Sequence, residues 1–325
     1  MNDTMKRTWK RTWTITLLSL AVVSWVVDPS WGILDQLLPP PADKKPSQSK
    51  SRQAQPSEPK GLVDGIGGLL GAKEKDLDLI KKGLKTVQAL QPIGLEEELA
   101  IGQAVAMEAF ARFGGEYRDE ALTTYVNLVG RTVAEVSDRP ELTFRFAILN
   151  SPEQNAFAAP GGYIFVTIGL LKTLKNEAEL AGVLAHEVAH VTQKHMLKTL
   201  QRSAILANLS EFSLSVMRKD PQLFSNVIDV ATEMLFEKGL DKEMEFEADT
   251  VGIEYTYRAG YHPNGLRDYL TTLKSQEGVA ASRFFSTHPS TAERLKRVTD
   301  VAARYTGASK YPYLADRFRS RMGPA

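Results

Sequence analysis

The 325-residue chain has no cysteine. That absence excludes disulfides, thiolate metal ligands, a nucleophilic cysteine and a lipid-modified N-terminal cysteine together. Any metal must therefore be held by histidines and carboxylates, and histidine is scarce, at five residues. Charge of one sign is also missing. Forty Lys+Arg face 39 Asp+Glu, for a formal charge of +1, so bulk electrostatics gives no reason to expect a nucleic-acid partner. The apolar run WTITLLSLAVVSWVV, Trp13 to Val27, has 15 residues, short of the roughly 20 that cross a bilayer comfortably. What is present, 43% hydrophobic and 24% charged residues, is the balance of a globular chain with room for one large domain or two modest ones.

The apolar run follows Lys6, Arg7, Lys10 and Arg11 and ends at Asp28-Pro29. A basic stretch, an apolar stretch and a helix breaker are the layout of a secretory signal. Residues 1–32 are therefore expected to be a signal peptide or an uncleaved membrane anchor, which makes the chain periplasmic or otherwise extracytoplasmic. It would be released, or held to the outer face of the inner membrane with Trp9, Trp13 and Trp31 at the interface. Residues 33–60 include PPPADKKPSQSKSRQAQPSEPK, which buries too little apolar surface to fold and reads as a linker. Residues 61–94 combine a Gly-rich stretch with an amphipathic helix carrying Leu77, Ile80, Leu84, Val87 and Leu90 on one face. The main domain is expected over 95–305 and a C-terminal tail over 306–325.

Within that domain two helices precede a strand, LTFRFAIL, the second helix capped by Asp119. A loop through Asn155 and Pro160-Gly161-Gly162 leads to a second strand, YIFVTIG. From Asn176 the periodicity is helical, with breaks at Asp220-Pro221, Gly239, Gly260 to Gly265 and His288-Pro289. The expected fold class is α+β, predominantly helical with a small β-sheet.

Three of the five histidines lie in LAGVLAHEVAHVTQKHML. On a helix His186 and His190, four apart, differ by about 40° around the axis, so both imidazoles can share one metal ion. Glu187 lies about 100° further round, beside the metal, where a base for an activated water belongs. His195, nine residues past His186, falls about 180° away and is expected to face away from the pair, as a structural residue and not a ligand. Two histidines are one short of the three protein ligands of a catalytic zinc site. On a wheel of EMEFEADTVGIEYTYRAG, Met244, Ala248, Val251 and Tyr255 form a buried stripe. Glu243, Glu247, Thr250, Glu254 and Arg258 make a solvated face, and Glu245 and Asp249 share the other flank. Glu245 is the candidate third ligand, and Asp249 an acceptor for a ligating imidazole N–H; the alternative is an acidic, solvated helix.

HEVAH with EFEAD, preceded by NAFAAPGGYIFVTIGLL and followed by STHPSTAERLKRV, resembles the M48 zinc metallopeptidases, most of all their bacterial periplasmic, BepA-like branch. The resemblance runs from about Leu95 to Tyr305. It implies a zincin-type gluzincin fold, one zinc ion per chain on His186, His190 and Glu245, Glu187 as catalytic base and Asp249 behind the ligands. It further implies that His288 approaches the zinc or the scissile carbonyl and that Arg294 helps stabilise the oxyanion. The strand Tyr163, Ile164, Phe165, Val166 and Thr167 would be the edge to which an extended substrate adds. The residues themselves leave open that Arg294 is an exposed side chain of a helix begun by a Ser290/Glu293 capping box, and that His288 is a plain loop residue. His262 reads as a surface residue. If His288 were a fourth ligand, it would shut out water and act as a latch.

The resemblance, with the export signal, implies zinc-dependent endoproteolysis of extended, unfolded or misassembled envelope proteins, a quality-control role. Partners are such polypeptides and no nucleic acid, with membrane association possible through the N-terminus. The tetratricopeptide repeats of longer relatives, a docking surface for partner proteins, have no counterpart in this sequence. The competing reading is an exported, zinc-containing chaperone or scaffold that binds misfolded proteins without cutting them.

Overall fold

The computed structural model describes residues 93–206, 220–275, 288 and 291–323. The expected signal or anchor, the linker, nearly all of the amphipathic segment and Ser290 of the capping box lie outside the described residues. The described part contains helix α1 (Leu95–Arg112), α2 (Glu120–Ala134), strands β1 (Arg145–Leu149), β2 (Ala156–Ala159) and β3 (Tyr163–Thr167). Then come α3 (Glu177–Thr192), α4 (His195–Leu206), α5 (Pro221–Glu233), α6 (Lys242–Arg258), α7 (Gly265–Ser275), α8 (Thr291–Ala302) and α9 (Ala315–Met322). The fold is α+β and predominantly helical, as expected. No helix among the described residues is long and apolar enough to cross a membrane.

Local chemistry starts several of these helices. Asp119 caps α2 by accepting from Leu122 N, Asn176 caps α3 by accepting from Glu179 N, and Asp220 caps α5 before Pro221. Each satisfies a backbone donor that the first helical turn leaves without a partner.

The sheet order is β1-β3-β2, with β1 parallel and β2 antiparallel to β3. Every strand position except Arg145 is buried, because helices cover both faces. Phe146, Ile148, Ile164 and Val166 pack toward α2 and α3, whereas Ala147, Leu149, Phe157 and Phe165 pack toward α1, α4 and α5. A sheet buried on both faces gives continuous apolar strands.

Three expectations are corrected here. Ala156–Ala159, read as loop, is a strand in register with Tyr163–Val166. Tyr163, Ile164, Phe165, Val166 and Thr167 form the central strand, bonded on both sides, so they cannot accept a further strand. The edge beside α3 is β2. Finally, the described part of the expected tail, residues 306–323, packs against the domain. Ala178 N donates to Tyr313 O at the start of α3, and Phe318 of α9 is buried in the main core. Arg317 pairs through its guanidinium with both oxygens of Glu177, at the first turn of α3, while Tyr125 and Tyr261 donate their hydroxyls to the same carboxylate.

Candidate active site

All sixteen residues of α3 are buried, so His186, Glu187 and His190 project from a helix held rigid on every side. α6 crosses it at very short range. A Cβ added to Gly252 would sit 2.9 Å from His186 N and 3.0 Å from His186 Cα, closer than a side chain tolerates, and this glycine brings the acidic flank of α6 onto the histidines. Glu245 and Asp249 are each 1% exposed. Glu243, Glu247, Thr250, Glu254 and Arg258 are exposed, as the wheel requires.

His186 Nε2 and His190 Nε2 stand 3.0 Å apart. Glu245 Oε2 lies 3.4 Å from the first and Glu245 Oε1 3.5 Å from the second. His288 Nδ1 lies 2.8 Å from Glu245 Oε2, and one ligand atom from each of these four residues falls within 4.8 Å of the others. Donors at 2.0–2.1 Å on a tetrahedral zinc are about 3.3 Å apart, so the spacing suits that ion. Charge agrees with spacing. With His186 neutral, as a metal ligand must be, the buried carboxylates of Glu245 and Asp249 outnumber the single guanidinium of Arg294, a negative excess that is costly in the interior and that a divalent cation cancels.

The titration of the groups carries the same message. Burial and Arg294 both disfavour a charged His186, yet the carboxylates of Asp249 and Glu245 lift it to about 9. A place that holds a proton against those forces attracts cations. Burial raises Glu245 too, but His288, His190 and Arg294 outweigh it and hold the carboxyl well below the usual range. Burial pushes His190 well down, toward the neutral ring that a metal ligand must be. Glu187 is raised by burial, which His288 and His186 only partly offset, and its Oε1 is buried without a hydrogen-bond partner.

Asp249 Oδ1 lies 3.1 Å from His186 Nδ1, the place for an acceptor that fixes the ring tautomer. Arg294 is fully buried, donating from Nε and Nη2 to Asp249, which removes the reading of it as an exposed side chain. His288 is 5% exposed, with Nε2 3.3 Å from Ala156 O and 3.9 Å from Glu187 Oε1, so it is no plain loop residue. Tyr163 to Thr167 are not brought to this cluster. Between β2 and the segment after α5 runs a cleft lined by Ala158, Leu235 and Leu240, with Glu187, His190 and His288 along it. His262 is half-buried and its ring stacks on Tyr313. The expectation that His195 faces away from the pair fails: α3 stops at Thr192, Lys194 is left-handed at φ 55°, and His195 turns back onto His190. Neither glycine nor proline marks that break in VTQKHML, so the sequence carries no signal for it.

The sequence pattern of peptidase family M48 matches residues 120–302. The beta-barrel assembly-enhancing protease of Yersinia pestis is 28% identical over 240 residues, 70% of this chain and 49% of that protein. The same-named protein of Escherichia coli is 30% identical over 188 residues, 54% of this chain and 38% of its own length. The mitochondrial metalloendopeptidase OMA1 of Schizosaccharomyces pombe is 28% identical over 204 residues, 60% of this chain and 59% of that protein. The chain thus spans about half the length of the curated relatives it matches. With the family pattern covering more than half of its residues, the chain belongs to peptidase family M48.

Proposed function

We propose that this chain is a zinc-dependent endopeptidase that cleaves extended, unfolded or misassembled polypeptides of the cell envelope. The observation that carries the reading is the meeting of His186, His190 and Glu245 around one point, with the unpartnered Oε1 of Glu187 beside it. His186 and His190 would hold the ion through Nε2 and Glu245 through its carboxylate. The ion, when bound, would supply Lewis acidity, acidifying water and polarising a carbonyl. Glu187, raised by burial, takes the proton from the attacking water and hands it to the leaving amine. Arg294 brings positive charge to the side where the carbonyl oxygen becomes negative, while His288, with Nδ1 on Glu245, takes up the remaining position of the donor set.

An extended substrate is proposed to add along β2, not β3. Thr167 N donates to Asn155 O, so by the alternation of an antiparallel ladder Phe157 and Ala159 also bond β3. Ala156 and Ala158 then turn their N–H and C=O groups outward, toward the cleft. Recognition through backbone groups favours chains that are already unfolded. Periplasmic location is supported by the signal-like N-terminus, and action on proteins under assembly by the bacterial relatives' name, beta-barrel assembly-enhancing protease.

The test is Glu187→Gln, with zinc content and casein cleavage measured on the same samples. Wild type should carry about one zinc per chain and cleave, while the variant keeps the zinc and loses cleavage by about 10²–10⁴-fold. A zinc-loaded wild type that cleaves nothing, while both proteins suppress aggregation equally, would establish the chaperone reading instead.

A further inference from the structure

His195, fully buried, places Nδ1 2.9 Å from Nδ1 of His190. The two rings meet edge to face, with centroids 5.0 Å apart and planes at 75°. On its other side His195 Nε2 lies 3.1 Å from Oε2 of Glu247. The Glu247 side chain is 47% exposed, so the chain of contacts runs from the interior of the site to solvent.

A neutral imidazole has one N–H and one bare nitrogen, so each ring donates once and accepts once. His190 Nε2 faces His186 Nε2 and Glu245, and to bind a cation it must be bare. The proton of His190 therefore sits on Nδ1. His195 Nδ1 must accept it, which moves the proton of His195 to Nε2, where Glu247, an acceptor only, receives it. One arrangement of protons satisfies every contact, and it leaves His190 with its lone pair on the cation side.

We propose that His195 and Glu247 are positioning residues for the metal: the relay His190–His195–Glu247 orients His190 and fixes it as an Nε2 donor. The relay does for His190 what Asp249 does for His186, with a second imidazole in place of a direct carboxylate. The backbone is shaped for it, since only the left-handed turn at Lys194 brings His195 back against the preceding helix. The proposal rests on the reading of the site as a metal centre, and the experiment separates the two.

Zinc affinity is measured by chelator competition on the full chain for wild type, His195→Leu, His195→Asn and Glu247→Ala. His195→Leu should weaken zinc binding about 10–100-fold. His195→Asn, whose amide oxygen takes the place of the accepting Nδ1, should recover most of that loss. Glu247→Ala, which removes only the exposed end, should lose less than His195→Leu. Long-range ¹⁵N NMR of zinc-loaded wild type should find the protons on His190 Nδ1 and His195 Nε2, a readout independent of whether any variant folds. Unchanged affinity in His195→Leu, equal losses in His195→Leu and His195→Asn, or a proton on His195 Nδ1 overturns the relay alone. A wild type that takes up no zinc overturns the metal centre and the relay with it.

Discussion

Arg294 grips Asp249 with two hydrogen bonds, Nε to Oδ2 at 2.9 Å and Nη2 to Oδ1 at 2.7 Å, and neither side chain reaches solvent. The Oδ1 that Arg294 holds also faces His186 Nδ1 at 3.1 Å. Asp249 is thus aimed at the histidine by the arginine. Arg294→Lys keeps the charge but cannot form the fork, so zinc affinity should fall about 10-fold or more with the fold retained. Asp249→Ala removes the carboxylate that Arg294 grips on two atoms and leaves the buried guanidinium the longer contact of Nη1 with Glu245 Oε2 at 3.4 Å, so it should cost up to about 3–5 kcal/mol of stability as well as metal. Chelator competition and thermal unfolding of the metal-free protein measure the two effects separately. A lysine variant with wild-type zinc affinity would show that the fork does not orient Asp249.

His288 closes the donor set. Its Nδ1 lies 2.8 Å from Glu245 Oε2, and it belongs to the four-residue cluster, whereas a catalytic zinc site keeps one position for water. Replacing His288 by alanine should therefore raise the cleavage rate of an unfolded substrate while His186, His190 and Glu245 retain the ion. The check is casein turnover per bound zinc. A rate that falls would make His288 an oxyanion donor and not a latch.

Helix α9 is tied to α3 through Arg317 on Glu177, and to the core beside Tyr125 of α2 through Phe318. Phe318 is 2% exposed, and Phe318→Ala should cost about 3–5 kcal/mol. Arg317→Ala should cost far less, because the arginine is 51% exposed and Glu177 keeps the hydroxyls of Tyr125 and Tyr261. Denaturant unfolding of the two variants tests the order. If Phe318→Ala is as stable as wild type, α9 is only lodged on the surface.

How much of this was legible in the sequence depends on the reach of each interaction. Glu245 and Asp249 fell on one flank of the wheel because α6 is regular from Lys242 to Arg258. The same reasoning misplaced His195, since it assumed a helix that in fact ends at Thr192. Ala156–Ala159 is a strand only because β3 pairs with it, and alanine has no preference that announces this. Strand order, and hence which strand is an edge, is a non-local property. Arg294 reads as a surface cation until Asp249, 45 residues away, is beside it. The polar ADRFRSRM reads as a tail until Glu177, 140 residues away, meets Arg317.

The correction of the edge strand carries the last prediction. If Ala158 turns its N–H to the cleft, proline there removes a donor offered to substrate and none offered to β3, and proline is tolerated on edge strands in that orientation. Ala158→Pro should raise KM about 5–10-fold, the worth of one hydrogen bond of roughly 1 kcal/mol, with zinc content and kcat near wild type. Phe157→Pro is the control. Its N–H bonds β3 by the same alternation, and its ring packs on Phe165 at 5.1 Å, so that variant should lose stability outright. Peptide kinetics on the first and thermal unfolding on both decide the matter. Were Ala158→Pro to unfold and Phe157→Pro to remain folded with a raised KM, the register of outward groups would be reversed. If neither changed KM, substrate would not be adding along β2.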